Sequence, residues 1–273
     1  MRPAFGLIIV GDEILSGKRV DQHLPRVIRL LAERGLSLSW MELVGDDRAR
    51  ITAVLQRAFA GSDVVFSCGG IGATPDDHTR QCAAQALGVP LEPHPEAQAL
   101  ITERMQDVAR EKGEAFEAHR PDNRQRLQMG VLPEGARVIP NPYNKIPGFS
   151  CAGRGGSQVH FVPGFPVMAW PMIEWVLENT CRPWFHRAPQ LEQSVVLYGA
   201  MESALTPLME RIEAEYPDIK VFSLPSVDHP LHGAHIELGV KGAAARVPAA
   251  WQALLAALRE MRVSMGPEIE RRH

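Results

Sequence analysis

The stretch from Asp63 to Arg80 constrains this chain more than any other. It reads Asp-Val-Val-Phe-Ser-Cys-Gly-Gly-Ile-Gly-Ala-Thr-Pro-Asp-Asp-His-Thr-Arg. The apolar run Val64 to Phe66 predicts a strand, Gly69, Gly70 and Gly72 predict a tight turn, and Ala83, Ala84 and Leu87 continue as a helical pattern. Where a parallel strand turns into a helix in this way, bare main chain and the helix start together favour an anion. Phosphate is therefore the first chemistry expected. Two common phosphate motifs are absent: no Gly-Lys-Ser/Thr follows, and Gly70-Ile71-Gly72 lacks the third glycine of the dinucleotide fingerprint. A structural alternative uses the same residues. Thr74 as N-cap, Pro75 at the first helical position and Asp77 three residues after Thr74 resemble a capping box, in which Asp77 only holds a helix.

The preceding residues repeat the strand, loop and helix order. Ala4 to Val10 is a continuous apolar run, as in a strand covered on both faces, and it ends in the polar loop Gly11 to Lys18. Asp21 caps a helix to Arg34 that turns Leu24, Val27, Ile28 and Leu31 to one face. A second strand, about Ser37 to Val44, leads into Gly45-Asp46-Asp47, and a helix on Ile51, Val54, Leu55, Ala58 and Phe59 follows. With right-handed crossovers this order builds an open α/β sheet whose ligand crevice lies at the strand carboxyl ends. Three loops, each with glycine and carboxylate, converge there: Gly11 to Lys18, Val44 to Asp47 and Ser67 to Thr79.

Further on, Pro95 to Lys112 is a long polar helix pattern, and Arg120 to Gln125 is a loop or a helix entry near the site. Strands are expected near Arg137 to Ile139 and at Gln158 to Val162. The segment from Pro140 to Gly148 is too rich in Pro and Gly for regular structure, and Pro163-Gly164-Phe165-Pro166 precedes a helix running to about Asn179. Cys181 to Pro189 reads as a linker. Beyond it, strands at Ser194 to Tyr198, Lys220 to Ser223 and Ala234 to Lys241 and helices at Ser203 to Tyr216 and Pro248 to Met261 give a small βαββα domain. The 273 residues thus divide into an α/β domain over 1–180 and an α+β domain over 190–265. Asp228, His229, His232, His235 and Glu237 have metal-ligand spacing, or form a polar turn broken by Pro230 and Gly233.

A net charge of −3 gives no support to a nucleic-acid or anionic-membrane partner. No apolar run approaches a membrane span and the first ten residues lack a signal peptide, so the expected location is the cytoplasm. Cys68, Cys82, Cys151 and Cys181 have no Cys-x-x-Cys spacing and read as buried thiols.

With these loops in place, the chain resembles the MoaB/Mog molybdopterin-binding fold family, and within it the amino-terminal part of the competence/damage-inducible protein A (CinA) type. The resemblance rests on Val10 to Gly17, Val44 to Asp47, Gly69 to Thr79, Leu132 to Ala136, Asn141-Pro142 and Val162 to Pro166, whose order and spacing match over most of residues 1–180. It implies a three-layer fold, a mostly parallel sheet with helices on both faces, and a KH-like small domain after it. The deamidase domain of that type is not expected, because the chain ends at His273. The chain departs from the family at His23, where an Asn is common, and at Ala73, which replaces a Pro.

The resemblance implies two uses of the crevice. The first is hydrolysis of a nucleotide pyrophosphate, ADP-ribose or FAD, with a divalent cation such as Mg²⁺ or Co²⁺. On this reading Asp46 and Asp77 are both catalytic and metal-holding, with Asp12, Glu13 or Asp76 in the outer shell. The backbone of Gly69, Gly70 and Gly72 cradles phosphate with Ser16, Thr74 and Thr79, and Lys18 offsets its charge. Gly11, Gly17, Asn141, Pro163 and Gly164 complete the ligand-binding set. The second use is molybdopterin binding in cofactor biosynthesis without hydrolysis. Against both stands a structural reading of Asp46 as N-cap of the helix through Ile51, a role Asp47 fills equally well. A third class, nucleic-acid binding through Gly239-Val240-Lys241-Gly242, suffers from that motif following a strand and from the lack of a basic face. Relatives of this type are dimers or trimers, and the helix Pro95 to Lys112 is a surface on which copies could meet.

Overall fold

The computed structural model describes residues 3–185 and 189–272. They form two compact units, one of residues 3–32 with 36–185 and one of residues 33–35 with 189–272. Of the expected linker Cys181 to Pro189, residues 186–188 lie outside the described residues. Arg182 to Trp184 continue as a helical turn, and Trp184 meets Phe5 edge to face at 6.5 Å.

The first unit runs β1 (Phe5–Val10), α1 (Asp12–Leu15), α2 (His23–Ala32), β2 (Leu38–Val44), α3 (Arg48–Ala60), β3 (Val64–Cys68), α4 (Thr79–Leu87), β4 (Leu91–Pro93), α5 (Pro95–Lys112), α6 (Pro121–Leu127), β5 (Val131–Pro133), β6 (Arg137–Ile139), β7 (Gly148–Ala152), β8 (Gln158–Val162) and α7 (Pro166–Val176). Its main sheet has the order β2-β1-β3-β8-β7-β6. The first four of these are parallel, and β7 runs antiparallel to both of its neighbours. Alternate residues feed two cores. Ile8, Val10, Val65, Phe149 and Phe161 pack under α3 and α4, whereas Phe5, Leu7, Ile9, Phe66 and Val162 pack under α2 and α7. These are the three layers expected.

Register decides where the site lies. Val10 is level with Val44, Ile9 with Cys68, and Cys68 with Val162, so the four parallel strands stop along one edge. Gly11 N donates to Val44 O and Gly69 N to Val162 O, both at 3.0 Å, which carries the ladder into the loops.

Local structure differs from expectation in several places, the paired strands β4 and β5 among them. The Gly11 to Lys18 loop contains the one-turn helix α1. The helix after the glycine loop begins at Thr79 with His78 as its cap residue, so Thr74 and Pro75 precede it. A strand unforeseen from the sequence, β7, follows the Pro/Gly-rich segment.

The second unit runs β9 (Gln190–Tyr198), α8 (Glu202–Glu215), β10 (Ile219–His229), β11 (Gly233–Ala243), α9 (Val247–Glu260) and β12 (Ser264–Arg272). Its antiparallel sheet has the order β10-β11-β9-β12, so the expected βαββα gains a sixth element that pairs with β9. Gly239 to Gly242 lie inside β11, paired on one side with Phe222 to Ile219 and on the other with Ser194 to Leu191. A sequence held on both sides by a ladder is not the open loop that grips a nucleic-acid backbone. His229, His232 and His235 gather at the β10/β11 turn with ring centroids 5.1 to 5.6 Å apart. Glu237 is taken instead by Arg271, at 2.6 Å, and by Ser194. Among the described residues no group of three or more His, Cys, Asp or Glu side chains is arranged to hold a metal ion, and no helix is long and apolar enough to cross a membrane.

Candidate functional site

The strand ends open into a cleft of about 440 Å³ lined by the loops after β1, β2, β3 and β8 and by the segment before β7. Gly11, Glu13, Asp46, Gly69, Gly70, Gly72, Thr74, Asp76, Asp77, Asn141, Pro163 and Gly164 all line it. Asp12, Ser16 and Lys18 line a neighbouring depression of about 620 Å³, which shares Glu13, Asp46 and Asp76 with the cleft. Those three carboxylates therefore border both compartments.

The glycine loop is shaped from behind. Gly69 and Gly70 have φ of +107° and +68°, conformations that favour glycine. A Cβ on Gly69 would lie 2.2 Å from Val10 O, and one on Gly70 would lie 2.2 Å from Thr79 Oγ1. The space a side chain would need is thus filled by the protein itself. These glycines let the loop press onto β1 and α4, a different reason from the ligand approach that the sequence suggested.

Behind the loop the carbonyls are gathered in one direction. Gly69 O accepts from Thr79 Oγ1 at 3.1 Å, Gly70 O from Thr79 N at 3.0 Å, and Ile71 O from Arg80 Nη1 at 2.6 Å. In a trans peptide the N–H points opposite to the carbonyl before it. The N–H groups of Gly70, Ile71 and Gly72 therefore turn away from α4, and all three residues line the cleft. Among the described residues none of the three has a protein acceptor. Successive N–H donors of this kind, ahead of a helix start, make an anion-binding concavity. Thr79 itself is fully buried with its hydroxyl committed to Gly69 O, so it shapes this concavity from beneath.

The carboxylates are held by reciprocal bonds. Asp12 N donates to Asp46 Oδ2 at 3.0 Å and Asp46 N donates to Asp12 Oδ1 at 3.2 Å, tying the β1 and β2 loops together. Asp47, its neighbour, caps α3 by accepting from Arg50 N at 2.8 Å, so Asp46 is not spent on the helix. Burial raises the Asp46 carboxyl above its ordinary range, and the nearby charges of Asp12, Glu13 and Asp76 raise it further against the Asp12 N–H bond. Asp77 Oδ2 accepts from Thr74 N at 2.8 Å and from Thr74 Oγ1, closing a turn ahead of α4 in place of the expected capping box. The acid that shares the field of Asp46 is accordingly Asp76; Asp77 instead lies in the field of the buried Arg80.

The other expected residues brace the walls. Asn141 donates to Asn144 Oδ1 and to Ile146 O and accepts from Tyr143 N, which folds the segment ahead of β7. Gly164 O bonds His23 Nε2 at 2.9 Å, and a carbonyl can only accept, so this nitrogen carries the proton. Gly17, at φ +72°, closes α1 through its N–H to Ile14 O and lines neither compartment. Ala73 O accepts from Gln125 Nε2 at 3.2 Å, which puts α6 beside the glycine loop.

Several residues of the site escaped the sequence reading. Arg80 is 4% exposed and holds the loop carbonyl. Its signal was hidden: only with α4 starting at Thr79 does Arg80 fall in the first turn, where a cation opposes the helix dipole and calls for a reason. Arg19 and Phe165 line the cleft too, with Met129, Ile146 and Met168. Phe165 stands out as an aromatic residue between turn formers, whereas nothing in the local sequence marks the two methionines.

Comparison with known proteins gives the family of this fold. Residues 6–187 match a family described as probable molybdopterin binding domain. A CinA-like protein of Anaeromyxobacter dehalogenans strain 2CP-1 is 37% identical over 175 residues, 63% of this chain and 40% of that protein. One from strain 2CP-C is 32% identical over 252 residues, 86% of this chain and 58% of that protein. The chain thus spans 40 to 58% of the length of these relatives. The crystal structure of CinA from Thermoplasma acidophilum, a protein of unknown function, superposes with a TM-score of 0.55 at 30% identity, covering 64% of this chain and 98% of that one.

Proposed function

The chain belongs to the MoaB/Mog molybdopterin-binding domain family, and from that premise we propose that its cleft binds a phosphorylated heterocycle and hydrolyses a nucleotide pyrophosphate, ADP-ribose or FAD. The observation that carries this reading is the row of acceptor-free N–H groups on Gly70, Ile71 and Gly72, set beside carboxylates that border two compartments. A pyrophosphate joins two different halves of one molecule, and a compartment on either side of the acids suits such a ligand.

Phosphate and this many carboxylates repel each other unless a cation lies between them. The donor set fits a divalent ion: hard oxygen ligands, with Asp46 made reluctant to ionise by burial first and then by the neighbouring acids. Two carboxylates with the remaining positions filled by phosphate oxygens and water is a usual arrangement for Mg²⁺. Asp46, through the oxygen not committed to Asp12 N, and Asp76, which shares its field, would hold the ion or its waters, with Asp12 and Glu13 around them; Asp77, tied to Thr74 and in the field of Arg80, is left to shape the loop. When bound, Mg²⁺ or Co²⁺ supplies charge neutralisation and a more acidic water. The chain's own part is positioning. The loop N–H groups hold phosphoryl oxygens, Thr74 having both of its donors committed to Asp77, and Lys18 and Ser16 meet the half of the ligand in the neighbouring depression.

The family description also favours a second reading, in which the same cleft binds molybdopterin and no bond is cleaved. Purified protein incubated with FAD or ADP-ribose and Mg²⁺ or Co²⁺ is expected to release AMP. Asp46→Ala and Asp76→Ala should each slow that release by about a hundredfold or more while the protein stays folded. Tight molybdopterin binding without AMP release under any metal would replace the hydrolytic reading with the second.

A further inference from the structure

Among the described residues that line the cleft, Arg19 supplies the lysine-or-arginine charge, and its guanidinium carbon stands 5.9 Å from the centroid of the Phe165 ring. That is within the range of a cation–π contact. Phe165 is 55% exposed, yet its backbone is fixed: Phe165 O accepts from Met168 N at 3.0 Å and from Ala169 N at 2.9 Å. His23 braces the preceding Gly164 carbonyl from behind. An aromatic residue on a rigid turn, in a cleft also lined by Met129, Ile146 and Met168, is preorganised for a flat apolar surface.

Resting on the reading that this cleft takes a phosphorylated heterocycle, we propose that Phe165 is the stacking platform for the ligand's ring and that Arg19 closes over the ring's other face. The two residues then set specificity. A ring stacked on both sides needs roughly 7 Å between its neighbours, twice a carbon contact distance of about 3.5 Å. Arg19 is exposed and needs to swing outward by only about one ångström to admit it. The phosphate end of the ligand is held by main chain that reads no base, so discrimination between a nucleotide and a bare sugar phosphate or pyrophosphate falls to this pair. Neither residue enters the hydrolytic step.

The test measures binding and not turnover. Affinities for α,β-methylene-ADP and for methylenediphosphonate, both with Mg²⁺ and both uncleavable, are compared by calorimetry. Phe165→Ala should weaken α,β-methylene-ADP about ten- to a hundredfold and leave methylenediphosphonate unchanged. Phe165→Tyr should restore the affinity, Phe165→Leu should not, and Arg19→Ala should lose severalfold for the nucleotide alone. Wild-type affinity for the nucleotide in Phe165→Ala, or equal loss for both probes, overturns the proposal. If the wild-type protein binds methylenediphosphonate but gains nothing from the nucleoside, the stacking inference falls and the phosphate site stands. If it binds neither, the phosphate reading falls and takes this one with it.

Discussion

Asp46 and Asp47 are the same residue type side by side, and their surroundings divide the labour between them. Asp47 caps α3 through Arg50 N, so Asp47→Ala should cost about 1 kcal/mol in chemical denaturation and leave AMP release nearly intact. Asp46 stabilises no helix and is held above the ordinary carboxylate range, first by burial and then by Asp12, Glu13 and Asp76. The unfolded chain releases that proton more readily, so the ionised residue costs stability once pH rises through its folded value. Asp46→Asn keeps an oxygen for Asp12 N–H and loses the charge. It should be more stable than the wild-type protein at pH 7, by a margin that vanishes below the ordinary carboxylate range, and Mg²⁺ should stabilise the wild-type protein more. Thermal unfolding across pH decides it; a variant less stable at neutral pH, or a gain that ignores pH, would refute this account.

At the scale of elements, the loop between β3 and α4 is a part fitted on both sides. Gly69 presses onto Val10 O, and its carbonyl is taken by Thr79. Gly69→Ala would put a methyl 2.2 Å from a backbone oxygen at φ +107°. About 2 kcal/mol or more of stability should be lost, together with binding of methylenediphosphonate. Denaturation and calorimetry on the variant measure both, and unchanged binding would place the anion elsewhere than on this loop. What was readable in the sequence follows the strength of local signals. Continuous apolar runs named β1 and β3, because burial on both faces leaves no polar alternation, and the glycine and acid loops after β1, β2 and β3 marked the cleft. β7 was missed because its middle residue, Ser150, is polar, although it is buried against His160 Nδ1 at 2.7 Å. β12 was missed because it is an edge strand, interrupted at Gly266-Pro267 and charged from Glu268 to Arg272, features that keep an edge from pairing further. The start of α4 was misplaced because Thr74-Pro75-Asp76-Asp77 satisfies the rules for a helix start but closes a separate turn.

For the whole molecule, the two units carry their own cores. Leu238, Leu254 and Leu258 belong to a cluster made only of second-unit residues, while the residues that line the cleft all come from the first unit. A fault in one core therefore need not reach the site in the other. Leu254 is fully buried, and Leu254→Ala should remove about 2–5 kcal/mol from the second unit through lost contacts and a residual cavity. Thermal unfolding of this variant should show an early transition attributable to residues after 189. Binding of α,β-methylene-ADP just above that transition should match the wild-type protein, because the N–H row, the carboxylates and Phe165 are still in place. Loss of binding together with the early transition would mean that the second unit is needed to form the cleft, and the assignment of function to the first unit alone would have to be given up.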